Sequence, residues 1–424
     1  MPADRAGKTA ANRWALVDIA DASRSSSSMT DRETTGAAAP SRLTAIAAAT
    51  DLREGAEGVA LILRTAFRDG PLLLRDLAKA VRMPLPVVGA VRRELELAGL
   101  LDRGHGVELS LAGQDFCRDV LGVSARHDSR CSCCHGHGVV VAPDLERVLR
   151  LLEEHAALGP PVDVTLDQAP CTPETALRRA LAMHEAGALD GRSIIILGDD
   201  DSMSVALMLL AQAIGARPRR LTVLELDPGR IAHLDGARQR HDLAFDLVAH
   251  DLREPLPADL AGRFDVFETD PPYTVDGMSL FVSRGLEALR SEPGLPGFLS
   301  YGDLAPDDLL DLQARLTEMG LVATRIRPSF NHYQGASILG SVGQLIDLKT
   351  TRRTKSVTGA ETFAAPIYTG EVRPRERRYQ CRACAAITEV GLAEAFATIE
   401  ALKEKGCPSC GGTVFKRLHA KTAY

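Results

Sequence analysis

The chain has 424 residues, 45% of them hydrophobic and 25% charged, which is enough apolar material for two or three packed domains and excludes a disordered or collagen-like chain. Fifty Lys and Arg against 56 Asp and Glu leave a net charge of −6, so nothing draws the chain generally to nucleic acid or an anionic membrane, and a small cationic substrate fits better. No stretch approaches the roughly 20 apolar residues of a membrane helix, no basic-then-apolar leader pattern opens the chain, and six of the nine cysteines fall in Cys-x-x-Cys pairs that suit metal ligation in a reducing compartment; a cytoplasmic protein is expected.

Residues 1–42 carry Arg24-Ser25-Ser26-Ser27-Ser28 and Gly36-Ala37-Ala38-Ala39-Pro40, which bury too little surface to offset ordering; a disordered tail is expected, with Met29 as an alternative start. Over 43–125, apolar residues recur at helical spacing, with a third helix over Pro86–Ala98, and Leu100-Leu101 followed by Val107-Glu108-Leu109 reads as strand, turn and returning strand. Helices ending in a two-stranded wing resemble a winged-helix module, and the overall acidity favours docking or homodimerisation over DNA binding for it. Residues 126–165 contain Cys131-Ser132-Cys133-Cys134-His135-Gly136-His137-Gly138, half a zinc site at most. Its remaining ligands (Cys133, His135, His137 or a symmetry mate) and a metal-free turn are both open.

Over 166–348, short apolar runs alternate with helical stretches: Ser193–Leu197, Leu221–Leu226, Phe245–Val248, Phe264–Phe267 and Gly297–Ser300 read as strands, with Val205–Ile214 as a helix between the first two. Continuous apolar strands separated by helices predict a doubly wound, Rossmann-like α/β domain with a parallel sheet covered on both faces. Lys349–Lys355 opens an expected basic linker over 349–375. Cys381, Cys384, Cys407 and Cys410 then form two Cys-x-x-Cys knuckles, a zinc-ribbon pattern over 376–424 in which four thiolates close a structural zinc site.

The chemistry concentrates at the ends of the α/β strands. The first strand runs into Gly198-Asp199-Asp200-Asp201, where a dinucleotide or adenosylmethionine site places a glycine-rich turn. Three neighbouring carboxylates repel one another and phosphate, raise each other's pKa, and suit a bound cation. Glu225-Leu226-Asp227 ends the second strand, where Glu225 is the candidate acceptor for ribose hydroxyls and Asp227 its companion. Asp251, after the third strand, is placed to accept from an adenine amino group or to cap the next helix. The fourth strand ends in Asp270-Pro271-Pro272-Tyr273, a turn that presents a carboxylate, a Pro-flanked carbonyl and an aromatic ring to an amine.

These residues, with Asp167-Gln168-Ala169-Pro170, Thr172-Pro173-Glu174-Thr175, His250-Asp251-Leu252-Arg253 and Thr269-Asp270-Pro271-Pro272-Tyr273-Thr274, resemble the branched-chain polyamine synthases from about Leu43 to Leu348. The resemblance implies transfer of aminopropyl groups from decarboxylated S-adenosylmethionine to a polyamine nitrogen, with amine binding and catalysis falling on Asp199, Asp200 and Asp201. Physical chemistry agrees: that donor has lost its carboxylate and carries a sulfonium and an ammonium, so an acidic loop attracts it. One of Asp199, Asp200, Asp201 or Asp270 is the expected base, since a protonated amine cannot attack carbon. The ribbon lies outside the likeness, and the chain lacks the Lys and Glu excess of a thermophile, so the acceptor need not be spermidine. The rival readings are an S-adenosylmethionine-dependent N-methyltransferase acting on nucleic acid or a small amine, and a non-enzymatic regulator.

Overall fold

The computed structural model describes residues 38–104, 106–123, 138–334, 342–359, 361–372, 377–391, 394–396 and 399–418. Met29 and the Cys131–His137 knuckle lie outside these residues. Among them, no helix is long and apolar enough to cross a membrane.

Five helices, α1 (Ala38–Ala49), α2 (Gly55–Asp69), α3 (Leu74–Val81), α4 (Leu85–Leu97) and α5 (Leu111–Asp119), form the N-terminal unit. Helical spacing puts Val59, Ile62, Leu63, Leu77, Val88, Val91 and Leu95 on inward faces that share one core. The first helix takes in residues 38–42, which composition assigned to the tail; Ala38 and Ala39 are strong helix formers. The strand pair expected after α4 is reduced to two antiparallel bridges, Leu101–Leu109 and Leu72–Val107. Arg82 pairs with Asp303 at 2.6 Å, Arg53 pairs with Asp308, and the Ser329 hydroxyl donates to the Lys79 carbonyl at 3.2 Å, so this unit rests against the α/β domain.

Helices α6 (Glu146–Ala157) and α7 (Pro173–Glu185) lead into that domain. Its strands and helices follow in order: β1 (Ser193–Leu197), α8 (Met203–Ile214), β2 (Arg220–Glu225), α9 (Pro228–His241), β3 (Asp246–Ala249), β4 (Val266–Thr269), α10 (Val275–Ala288), β5 (Pro296–Gly302), α11 (Pro306–Glu318), β6 (Val322–His332) and β7 (Val342–Lys349). The sheet order is β3-β2-β1-β4-β5-β7-β6, parallel from β3 to β5, with β7 antiparallel to β5 and to β6. This is a Rossmann-like fold of the methyltransferase type. Period-two alternation sorts the buried strands: Ile194, Ile196, Val223 and Phe298 pack on one face, Ile195, Leu197, Leu224 and Phe267 on the other. The order reverses between β1 and β4, and the crevice outside their carboxyl ends is where ligands of such sheets bind.

The expected basic linker is corrected. Arg352, Arg353 and Lys355 are exposed, but the residues between and after them return to the domain. The Val357 N–H donates to the Ser283 hydroxyl at 3.2 Å, and the Phe363 N–H to the Arg253 carbonyl at 2.8 Å. Ile367 and Tyr368 bury against Leu280 ahead of the short helix α12 (Thr369–Val372). Within the charge run the threonines face the domain: the Thr350 hydroxyl donates to the Glu292 carbonyl at 2.8 Å, and those of Thr351 and Thr354 to the Gly320 carbonyl at 2.7 and 2.9 Å. The chain closes with β8 (Arg377–Cys381), β9 (Ile387–Val390), α13 (Ile399–Lys405) and β10 (Phe415–Leu418), a three-stranded antiparallel sheet ordered β10-β8-β9.

Candidate active site and metal centre

A cleft of about 710 Å³, open to solvent, lies at the carboxyl ends of β1, β2 and β4. Its wall combines the loop after β1 (Gly198, Asp199, Asp200), the ends of β2 and β3 (Glu225, His250, Asp251), the turn Asp270-Pro271-Pro272-Tyr273, the 166–169 loop, and Ile367 and Tyr368. Gly198 has φ +71°, and a β-carbon there would sit 3.2 Å from the Phe281 ring, so the turn requires glycine.

The three aspartates point three ways. Asp199, 2% exposed, accepts the N–H groups of Met203 and Ser204 at 2.5 and 3.1 Å and so caps α8. Burial pushes its pKa up, and these hydrogen bonds pull against that rise. Asp201 accepts the Cys171 N–H at 2.6 Å and pairs with Arg179. Among the described residues Asp200 accepts only the Ala169 N–H, at 3.0 Å, and it faces the cleft. Burial, helped by the charge of Asp201, pushes Asp200 up to about 8.

Arg179, 1% exposed, stands beneath the cleft and pairs with Asp201, with Glu268 and, at 3.5 Å, with Asp270. Asp270 also accepts the Tyr333 hydroxyl at 2.7 Å. Burial and the Asp201 charge hold Asp270 well above the usual carboxylate range, against the pull of Arg179 and Tyr333. Tyr273 packs edge-on to Tyr301 and Tyr333 with centroids at 5.5 and 6.3 Å, which fixes the mouth of the Asp-Pro-Pro-Tyr turn.

On the opposite wall, Glu225 accepts the Asp199 N–H at 2.8 Å with one oxygen, and the Leu226 and Asp227 N–H groups at 2.8 and 2.9 Å with the other. It therefore braces the loop after β1 while lining the cleft. Asp227 does not line the cleft: it caps α9 through the Gly229 N–H at 2.7 Å and accepts Gln168 Nε2 at 2.7 Å. Burial would raise its pKa, yet the hydrogen bonds from Gln168, Gly229 and Arg230 bring it below the ordinary value. Asp251 lines the cleft and also accepts the Arg253 N–H at 2.9 Å.

The structure thus gathers Gly198, Asp199, Asp200, Glu225, Asp251, Asp270, Pro271, Pro272 and Tyr273 around one cleft, and places Asp201 and Asp227 behind it. Sequence reasoning missed Arg179, Tyr333 and Tyr368. One arginine of the Arg178-Arg179 pair on an amphipathic helix carries no signal, and Tyr333 and Tyr368 reach the site only through the sheet edge and the returning segment.

In the C-terminal sheet, the sulfurs of Cys381, Cys384, Cys407 and Cys410 all lie within 4.8 Å of one another, with Cys381–Cys410 at 3.6 Å and Cys384–Cys407 at 3.7 Å. Tetrahedral bonds of about 2.3 Å to sulfur give edges of about 3.8 Å, so the four thiols fit one tetrahedral metal. A β-carbon at Gly412 would lie 3.1 Å from the Cys381 sulfur, which ties that glycine to the knuckle.

Comparison with known proteins bears on the same residues. The family model of the branched-chain polyamine synthase A C-terminal domain matches residues 147–363, from α6 through the returning segment. The chain belongs to this family. It is 35% identical over 374 residues to an uncharacterized protein of Methanocaldococcus jannaschii, covering 88% of this chain and 91% of that one. It is 32% identical over 253 residues to the N(4)-bis(aminopropyl)spermidine synthase of the same organism, covering 59% and 70%. Among solved structures, it resembles the branched-chain polyamine synthase from Thermus thermophilus in complex with N4-aminopropylspermidine and 5'-methylthioadenosine. The TM-score is 0.62 at 26% identity, over 78% of this chain and 98% of that one. The family match starts after the N-terminal helices, which the sequence resemblance from about Leu43 had included, and ends at residue 363, before the four cysteines.

Proposed function

We propose that this chain transfers aminopropyl groups from decarboxylated S-adenosylmethionine to a nitrogen of a polyamine or similar cationic amine, releasing 5'-methylthioadenosine. The observation that carries the reading is the charge of the cleft. Asp167, Asp199, Asp200, Glu225, Asp251 and Asp270 line it, and among the described residues no Lys or Arg does. The methyl donor S-adenosylmethionine would bring a carboxylate among these acids, whereas its decarboxylated form brings only positive charge. The complex of the Thermus thermophilus relative supports the same pair of ligands.

In this reading Glu225 accepts from the ribose hydroxyls, Asp251 from the adenine amino group, and Gly198 lets the nucleoside approach the backbone. Asp227 holds the loop in place and does not touch the donor. Pro271, Pro272 and Tyr273 flank the acceptor amine, and Asp200 and Asp270 take its charge and its proton. The ammonium gives its proton to a carboxylate, the freed lone pair forms the nitrogen–carbon bond, and the carbon–sulfur pair leaves with sulfur as a neutral thioether. A carboxylate near pKa 8 is matched to an amine proton at neutral pH, and Asp200 fills that role best. Asp199 and Asp201, already committed to α8 and to Arg179, hold the loop.

The catalytic unit extends from α6 to α12, the N-terminal helices serve docking or homodimerisation as a winged-helix-like module, and the four cysteines hold one structural zinc. Incubation with each donor and a panel of amines, read by mass, tests the assignment. Aminopropyl addition with methylthioadenosine release is expected; methyl addition from S-adenosylmethionine alone would overturn it.

A further inference from the structure

The two oxygens of Asp270 have different surroundings. Oδ2 accepts the Tyr333 hydroxyl at 2.7 Å and lies 3.5 Å from Arg179 Nη1, while Oδ1 has no hydrogen-bond partner among the described residues. Because Asp270 lines the cleft, Oδ1 is the oxygen left for a ligand.

Tyr333 is buried and held in place from several sides. It follows the end of β6, where it bridges Cys171 and its neighbours lock to the 170–172 loop: the Thr172 N–H donates to the His332 carbonyl at 2.7 Å, and the Gln334 N–H to the Pro170 carbonyl at 2.8 Å. A β-carbon at Gly343 on β7 would lie 3.1 Å from the Tyr333 hydroxyl, so the facing strand leaves room for the ring. Asn331, fully buried, aims the hydroxyl. Its Nδ2 donates to the Gln344 carbonyl at 3.1 Å, an acceptor that the amino end of the amide alone can face, and to the Tyr333 oxygen at 3.2 Å. With that lone pair taken, the phenol proton goes to Asp270. Asn331 Oδ1 is left without a partner among the described residues, a destabilising arrangement that a leucine would avoid, and the directed hydroxyl is what the asparagine provides in return. Burial and the Asp270 charge hold the Tyr333 phenol well above its ordinary pKa, so it stays a donor.

We propose that Tyr333 is a positioning residue for aminopropyl transfer: together with Arg179 it occupies Oδ2 of Asp270 and so presents Oδ1 to the reacting nitrogen. The inference rests on the aminopropyl-transfer reading. A proton carried by Asp270 sits on the cleft side, and the ionised form meets an ammonium without turning the carboxylate. The other titratable groups around Asp270 are Arg179 from α7, Asp200 and Asp201 from the loop after β1, Cys171, Tyr273 and Tyr301. Burial and the charges of Asp201 and Asp200 oppose ionisation of Asp270, and Arg179 and Tyr333 favour it.

The test uses the full chain with decarboxylated S-adenosylmethionine and spermidine, or the amine it turns over best. Tyr333→Phe keeps the ring and removes the hydrogen bond. It should lower kcat/KM for the amine by about 10-fold and move the acid limb up by about one pH unit, with methylthioadenosine affinity unchanged. Added to Asp270→Asn, it should cost less than ~2-fold more, as two changes acting through one group do. Asn331→Leu leaves the hydroxyl unaimed and should shift the limb in the same direction by less; if Tyr333→Phe does not fold, this variant decides. An acid limb where the parent has it, or losses that multiply in the double variant, overturns the inference and leaves aminopropyl transfer standing, because the parent still turns over its amine. No transfer by the parent to any amine, spermidine included, overturns both.

Discussion

The acidic cleft and the four-cysteine knuckle both crowd like groups together, and the chain treats them in opposite ways. Around the cleft, the protein supplies its own counter-charges: Arg179 for Asp201 and Glu268, the α8 amides for Asp199, and the loop amides for Glu225. Asp200 and Asp270 line the cleft with raised pKa values, Asp270 with a partial counter-charge from Arg179 at 3.5 Å. In the knuckle, four sulfurs converge without a salt-bridging partner among the described residues, and their spacing is that of a tetrahedral metal. Where the fold neutralises its acids, the remainder stays open to the cleft; where it gathers thiols, their spacing suits a tetrahedral metal.

The largest expected effect is on the knuckle. Structural zinc in small cysteine sites contributes about 10–16 kcal/mol of binding, so Cys381→Ser or strong chelation should release one zinc per chain and unfold the C-terminal sheet. Aminopropyl transfer by the cleft should persist. Metal analysis showing no zinc before chelation would break the comparison on this side.

Next in size is Arg179. Arg179→Met strands Asp201 and Glu268 as buried, uncompensated acids, a loss of about 3–5 kcal/mol that calorimetry should register as a clear fall in Tm. A variant as stable as the parent would mean the cleft does not depend on internal counter-charge.

Among the acids, Asp200→Asn and Asp270→Asn should each lower turnover by at least ~10²-fold, the scale of a lost base or positioning group. Asp199→Asn and Asp201→Asn should act first on Tm. Equal turnover losses across all four would erase the division between facing and structural aspartates.

The pH profile sharpens the same point. Asp200 must be ionised to accept a proton, so kcat/KM should rise on the acid side through about pH 8. Because the Asp201 charge contributes to that elevation, Asp201→Asn should move this limb to lower pH. The stability contribution has the opposite sign: with a folded pKa above the unfolded value, Asp200 stabilises the fold at low pH and loses that contribution as pH climbs from the ordinary carboxylate range to about 8. Asp200→Asn should therefore gain Tm over the parent in mildly alkaline buffer.

The smallest effect separates donors. Decarboxylated S-adenosylmethionine or methylthioadenosine should raise Tm more than S-adenosylmethionine does, because only the last brings a carboxylate to the cleft. Equal shifts would remove the charge argument.

Sequence alone determined the α/β architecture, the position of the ligand crevice and the Cys-x-x-Cys pairs. Strand periodicity, the acidic turn after β1, the Asp-Pro-Pro-Tyr turn and cysteine spacing are local patterns, readable because each residue's neighbours in the chain carry the signal. Only the tertiary structure decided which aspartates line the open cleft and which lies behind it. Asp199, Asp200 and Asp201 are equivalent on the page; the register of α8 against the loop, and the arrival of Arg179 from α7, set them apart. The same holds for Tyr333, which reaches Asp270 from the sheet edge, and for the segment carrying Ile367 and Tyr368, which returns to wall the cleft. Desolvation and counter-charge depend on what surrounds a group in space, and no pattern along the chain records that.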